Sequence, residues 1–215
     1  MGKNMKKLLI STTSKKKIQT IKNILKGSDI EIISPKDLGL VLDVEENGTT
    51  VEENAIIKAK ALSVQAKMPV LGWDKSMYVE NFPASEQPGL FVRRPKGLAE
   101  GQELTDEEMV IYYSEKLKKF GGESKAYYES GVAIVDGERI FSTTFKEDPF
   151  ILTSEVKESG TPKFNPFDQM RRDIKLRKYY CDMTDEETLN KDIALNNNIK
   201  KFVCESLHIN MESEK

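Results

Sequence analysis

The sequence predicts an α/β fold, a mixed β-sheet with flanking helices, and three observations predict it. The chain opens with an apolar run, a polar break, a helical stripe and a second apolar run, the grammar of a sheet layered with helices. A second helical stretch then leads into another strand-like run near residue 70. From residue 125 the pattern changes to two β-rich runs joined at Asp136-Gly137, a strong hairpin signal.

Each element follows from local chemistry. Lys7–Ser11 reads as a short buried strand, which Thr12-Thr13-Ser14 breaks. Between Lys15 and Lys26 the apolar residues Ile18, Ile21, Ile24 and Leu25 fall on one helical face, and Gly27 ends the helix. Ile30–Ile33 is a second strand. An acidic, turn-rich piece from Asp43 to Gly48 precedes a helix over Val51–Ala66, with Ala55, Ala59, Leu62 and Ala66 on one face. Pro69–Gly72 reads as a strand with Trp73-Asp74-Lys75-Ser76 at its C-terminal end, and Asn81–Gly101 as loop. Thr105-x-x-Glu108 is a capping box for a third helix, which ends near Gly121-Gly122. Lys125–Val135 and Glu138–Lys146 form the hairpin, Phe150–Thr153 extends the sheet, and Ser159–Phe167 is loop. Asp168–Tyr180 reads as a basic helix, and the capping box Thr184-x-x-Glu187 opens a terminal one.

Composition excludes several function classes. A chain of 215 residues suits one domain, or one domain with two lobes, and can bury a sizeable core. The formal charge of −2 gives no global argument for a nucleic-acid or membrane partner. Cys181 and Cys204 have no cysteine companions, so two buried thiols in a reducing compartment are expected. His208 is the single histidine, which removes histidine-based zinc sites, Ser-His-Asp triads and Cys-His dyads; a surface role near the C-terminus is expected. No stretch approaches the roughly 18 apolar residues of a membrane span. The early run Leu8–Ile10 is too short for a signal peptide, and Lys6 spoils a myristoylation pattern. A cytoplasmic location is the expectation.

Three segments carry candidate chemistry. Thr12-Thr13-Ser14-Lys15-Lys16-Lys17 lies between a strand and a helix, where backbone N–H groups, hydroxyls and lysines together suit an anion. It lacks the glycines of a P-loop, and its plainer reading is a capped helix with a solvated lysine face. Glu45 to Ala55 is rich in carboxylates, hard oxygen ligands of the kind magnesium takes, though acids also cap helix starts. Asp74, at a strand end, has the chemistry to hold a metal ion or take a proton from water, or merely to form a turn beside Lys75.

Taken in order, these segments resemble the inosine triphosphate pyrophosphatase family, Ham-type enzymes that clear non-canonical purine nucleotides. Leu8 to Lys17 resembles the family's first strand and phosphate loop, and Asp37-Leu38-Gly39 the short signature that follows. Glu45 to Lys60 is similar to E-x-x-G-x-T-F-x-E-N-A-x-x-K-A. Pro69–Val79 resembles the strand carrying Asp-Asp-Ser-Gly-Leu-x-Val, and Pro88 to Arg94 the family's Pro-Gly-x-Tyr-Ser-Ala-Arg. The likeness runs over about residues 7–94, and the hairpin fits the second lobe in kind. It implies an elongated mixed sheet with two lobes around a central cleft, a homodimer, and magnesium-dependent hydrolysis of a nucleoside triphosphate to monophosphate and pyrophosphate. It implies Glu45 and Asp74 as metal ligands, Asp74 also activating water, and Thr12 to Lys17 as the phosphate loop. Lys75 stands at a substrate-contacting serine, and Phe164 and Asp168 echo the purine-recognition segment Phe-Gly-Tyr-Asp-Pro.

The chain also departs from the pattern. Ser14 and Thr13 replace the loop's Asn and Gly, Trp73-Asp74 stands where the family has two acids, and Lys75-Ser76 where it has Ser-Gly. The late Ser-His-Arg has no equivalent, since Thr184–Asn198 contains neither His nor Arg. Three readings follow: an active pyrophosphatase, a non-catalytic relative that binds a nucleotide or a protein, and a hydrolase of another phosphorylated metabolite. The basic run Arg171 to Lys178 offers charge to the third. A nucleic-acid module is disfavoured because no single-strand stacking motif accompanies the lysines.

Overall fold

The apolar triplet Leu8, Leu9 and Ile10 is fully buried and forms the C-terminal part of β1 (Lys6–Ile10). The computed structural model describes residues 5–99, 101–160, 162–163 and 165–209, and the chain divides into two compact units.

The first unit comprises residues up to Lys75, Ser130–Phe145 and the chain from Ile193 on. In it β1 pairs in parallel with β2 (Ile30–Ile33) on one side and with β3 (Val70–Val79) on the other, in the register Leu9 to Val70 and Ile10 to Leu71. Parallel neighbours need crossovers, supplied by α1 (Lys15–Ile24) and α2 (Val51–Ala66). β4 (Glu123–Asp136) follows β3 in the strand order, and β5 (Arg139–Lys146) pairs with β4. Strand alternation sends Leu8, Ile10 and Leu71 towards α1 and α5 (Ile193–Ser206), where they pack with Ile21, Ile24, Ile199 and Val203. It sends Leu9 and Val70 the other way, against Ala59 and Leu62 of α2. That second contact is unusually close. A methyl on Gly72 would lie 1.9 Å from the Ala55 carbonyl oxygen, and one on Gly131 2.3 Å from the Val51 carbonyl. The first turns of α2 therefore rest directly on the backbones of β3 and β4.

The second unit comprises Ser76–Glu129 and Lys146–Asp192. Here β4 pairs antiparallel with β6 (Phe150–Thr153), and β6 with β7 (Arg171–Asp173). The capping box at Thr105 starts α3 (Asp106–Lys119), whose Met109, Tyr113 and Leu117 pack on Met77, Phe150 and Phe167. Gly121, Gly122 and Gly137 take the positive φ that the helix end and the hairpin turn require. α4 (Asp185–Lys191) starts at the Thr184 box.

Four expectations need correction. Asp168–Tyr180 is not a helix: it is a short 3-10 turn, β7 and a second 3-10 turn. Arg171 is buried, its guanidinium 4.0 Å from the Tyr180 ring centre and 5.2 Å from that of Phe150, and a solvated helix face offers no such site. β3 runs on to Val79, so Trp73 to Ser76 lie mid-strand rather than at its end. The terminal helix breaks at Asp192 into α4 and α5. Both cysteines are free, but only Cys204 is buried; Cys181 is half-buried. His208 is exposed and, with φ at 54°, follows the end of α5. No helix among the described residues is long and apolar enough to cross a membrane.

Candidate functional site

The site grows from the start of α2. Thr50 caps the helix by accepting the Glu53 N–H, and the Glu53 carboxylate accepts the Thr49 N–H at 2.6 Å and its hydroxyl at 2.8 Å. Those bonds favour the charged carboxylate and hold it below the usual carboxylate range. One turn on, Asn54 and Lys58 sit four residues apart on the buried face of the helix. The Asn54 carbonyl oxygen accepts the Gly48 N–H at 2.9 Å, which ties the acidic loop to the helix. Its amide donates to Asp74 Oδ2 at 3.3 Å.

Asp74 is buried in β3, and Lys58 Nζ donates to its Oδ1 at 2.6 Å. The same ammonium lies 2.8 Å from Glu46 Oε2. One buried cation thus joins two carboxylates, the arrangement that makes a buried lysine tolerable. Side chains alternate along a strand, so Trp73 and Lys75 face away from Asp74. The Trp73 indole N–H donates to Ser130 Oγ at 3.0 Å, and Lys75 Nζ stands 5.4 Å from the Trp73 ring centre. The ammonium bonded to Asp74 is therefore that of Lys58, not that of its sequence neighbour.

The phosphate-loop candidates follow β1. Ser11 donates its hydroxyl to the Leu71 carbonyl at 3.0 Å, Thr12 Oγ1 accepts the Ser14 N–H at 3.2 Å, and Ser14 Oγ caps α1 by accepting the Lys17 N–H at 3.4 Å. Thr13, Ser14, Lys15 and Lys16 are exposed, whereas Thr12 and Lys17 are half-buried. Burial, aided by the positive charges of Lys58 and Lys75, pushes the Lys17 ammonium down to about 8 against the opposing pull of Asp74 and Glu46. Lys17 therefore shares the electrostatic field of the Lys58–Asp74 cluster.

The structure brings together Glu46, Asn54, Lys58 and Asp74, and Lys17 feels their charge. Glu45 is exposed; along Asp43–Asn47 exposure alternates, and Glu46 is the glutamate turned towards Lys58. Phe164 lies outside the described residues. Asp168 is only 2% exposed, with Oδ1 bonded to Arg171 and Oδ2 accepting the Lys163 and Asn165 N–H groups, so its carboxylate ties the loop together. Glu46 and Asn54 fall within the Glu45–Ala55 stretch and Lys58 within the Glu45–Lys60 likeness, but none of the three stands out there with a role of its own. The signal for Asn54 and Lys58 was present in N-A-I-I-K, whose four-residue spacing places both ends on one face.

A magnesium ion takes one or two carboxylates and completes its shell with water and substrate phosphates. Among the described residues no three His, Cys, Asp or Glu side chains converge. Glu46 and Asp74 do share one cation, and their hard oxygens fit a metal whose remaining ligands come from a substrate. A shallow hollow of about 350 Å³ bordered by Lys22, Gly27 and Glu31 includes none of these residues.

Residues 8–169 match the profile of the Ham1 family. The chain belongs to the Ham1 family. Among its relatives, a dITP/XTP pyrophosphatase of Thermoanaerobacter pseudethanolicus is 34% identical over 137 residues, 62% of this chain and 65% of that one. One from Leptospira interrogans is 36% identical over 132 residues, covering 61% and 63%. One from Campylobacter jejuni is 30% identical over 160 residues, covering 72% and 76%. The match thus spans just under two thirds of the length of the first two relatives. The Staphylococcus aureus Ham1 protein superposes with a TM-score of 0.71 at 23% identity, over 92% of this chain and 98% of its own. A Coxiella burnetii HAM1 protein gives 0.68 at 20% identity, over 95% and 98%. At those identities the likeness is one of fold.

Proposed function

We propose that this Ham1-family chain is a magnesium-dependent nucleoside-triphosphate pyrophosphatase that converts non-canonical purine triphosphates to monophosphate and pyrophosphate. The observation that carries the reading is the buried Asp74, bonded to Lys58 and Asn54 and joined through Lys58 to Glu46. The dITP/XTP pyrophosphatases among its relatives support the substrate class. A homodimer in the cytoplasm belongs to the same reading.

Glu46 and Asp74 would hold the metal, which when bound neutralises phosphate charge and polarises the phosphoryl group. The first turn of α1, with the Thr12 and Ser14 hydroxyls and Lys17, holds the outer phosphates. Asp74 accepts a proton from water at Oδ2, the oxygen with the longer bond, as the water oxygen attacks the α-phosphorus. The bond from that phosphorus to its bridging oxygen breaks, and pyrophosphate leaves with its charge matched by the loop. Trp73, locked onto Ser130, and Lys75 belong to the opposite face of β3 and take no part in the proton transfer.

The test is pyrophosphate release from a panel of ITP, XTP, dITP, dUTP and the canonical triphosphates with magnesium. Asp74→Asn should lower turnover by roughly 100-fold or more; undiminished turnover would reject the assignment. The absence of His and Arg from Thr184–Asn198 favours a second reading, nucleotide binding without hydrolysis. Binding of a panel member with no product would select it.

A further inference from the structure

The basic run Arg171 to Lys178 takes no part in the proposed function, and the structure splits it. Arg171 is buried, Arg172 is paired with Glu123, and Lys178 Nζ meets Glu187 Oε1 at 2.5 Å. The four residues Ile174 to Arg177 form the tip of a hairpin. It is closed by the Arg172–Tyr179 bridge and by the Asp173 N–H, which donates to the Lys178 carbonyl at 2.8 Å. One buried residue fastens the tip. Asp173 Oδ1 accepts the Lys175 N–H at 2.9 Å and the Leu176 N–H at 2.7 Å, and the Asp173 carbonyl accepts the Arg177 N–H at 2.9 Å. The side chains turn outward. Ile174 is 39% exposed and Leu176 43%, and Lys175 and Arg177 are exposed with no carboxylate partner among the described residues.

Two aliphatic side chains thus alternate with two unpaired cations. Water solvates the cations well and the aliphatic groups badly. A four-residue tip offers no groove to a peptide, and none of the four is an aromatic on which a base could stack. A bilayer surface needs no matching shape. It takes aliphatic side chains below its headgroups and, when anionic, attracts Lys and Arg. The tip is already fixed by Asp173, so little conformational freedom is lost on contact. The chain's formal charge of −2 does not oppose this, because the attraction acts within a Debye length of about 8 Å. We propose that the Ile174–Arg177 tip is a membrane-contact loop that docks on anionic lipid. Ile174 and Leu176 enter the headgroup layer, and Lys175 and Arg177 meet the lipid phosphates. The contact is peripheral and reversible, since two small apolar groups fall short of a stable anchor. It is independent of turnover at Asp74.

The experiment is co-sedimentation of the full-length protein with vesicles of phosphatidylcholine alone and of equal parts phosphatidylcholine and phosphatidylglycerol. Binding should require phosphatidylglycerol. Lys175→Gln with Arg177→Gln should weaken it by about 25-fold, at about fivefold for each basic residue. Ile174→Ser with Leu176→Ser should weaken it by about tenfold or more. Leu176→Trp reads insertion directly, because Trp73 is the single tryptophan and is buried. The new indole's emission should move to the blue with the anionic vesicles alone. Failure of the unaltered protein to bind anionic vesicles overturns the inference, as does binding that both paired variants retain. Loss in the charge variant alone, with no blue shift, also overturns it and assigns the cations to an acidic protein or a nucleic acid. An unchanged Tm shows that a variant is folded; should a paired variant unfold, the unaltered protein's lipid preference and the Leu176→Trp shift decide the matter.

Discussion

Lys17 carries a charge that its surroundings make easy to lose. Its ammonium titrates near 8 rather than at the ordinary lysine value, chiefly because it is partly withdrawn from water and secondarily because Lys58 lies near. It loses its proton more readily than an ordinary lysine as pH rises through about 8. An incoming phosphate favours the charged form, so the loss falls on the free protein. We expect kcat/KM to decline on an alkaline limb near pH 8, and Lys17→Arg, whose guanidinium stays charged, to move that limb upward. An unmoved limb would assign it elsewhere. The same shift means the unfolded chain holds this proton up to the ordinary lysine range and the folded one only to about 8, so this group's contribution to stability rises with pH across that window. Asp74 and Lys17 stand out in the sequence by their places on a strand and at a helix start, and the structure gives Asp74 a buried setting and Lys17 a lowered pKa. Glu45, expected as a metal ligand, is exposed while its neighbour Glu46 meets Lys58, a difference the sequence does not show, since neighbours on an extended loop face opposite ways and only the packed helix marks the inward one. Lys58 was hidden for a related reason: a lysine in a helix reads as solvated until the strand beneath it supplies an aspartate.

At the scale of elements, α2 on β3 is the contact that sets the site. No side chain separates them at Gly72, where a methyl would sit 1.9 Å from the Ala55 carbonyl oxygen. That carbonyl is helix backbone and has nowhere to go. Gly72→Ala should therefore cost about 3 kcal/mol or more, at the upper end of overpacking effects. Urea unfolding measures it, and a loss under about 1 kcal/mol would show that the helix can lift. The sequence marked α2 at about Val51 to Ala66, because acids at its start and small residues on one face agree, and the structure adds the Thr50 cap. It also marked β6 and the hairpin turn. It failed between Asp168 and Tyr180, where charge suggested a helix. There a buried Arg171, ringed by Tyr128, Phe150 and Tyr180 and paired to Asp168, outweighs local propensity. Two of those partners, Tyr128 and Phe150, lie far from Arg171 in the chain, so no local window reveals them.

At the scale of the whole molecule, the first unit is assembled from three separate stretches of chain and the second from two. Trp73 is the single tryptophan, and it packs in the first unit's core with Ile199, Val203 and Leu207. It is a built-in reporter on that core. A chain stopped after Asp192 should show Trp73 emission shifted to the wavelength of a water-exposed indole. A blue emission unchanged from the full chain would mean that the core closes without α5.

Vectorial synthesis gives this threading a cost in time. The strands that carry the candidate site leave the ribosome early, but the apolar side of β1 and β3 has no finished cover until Ile199 and Val203 emerge. During translation Leu8, Ile10 and Leu71 wait while the whole second unit is made. The nascent chain thus holds an open hydrophobic face from the completion of β3 to the emergence of α5, so its exposure to chaperones and to misassembly is written into the order of its segments.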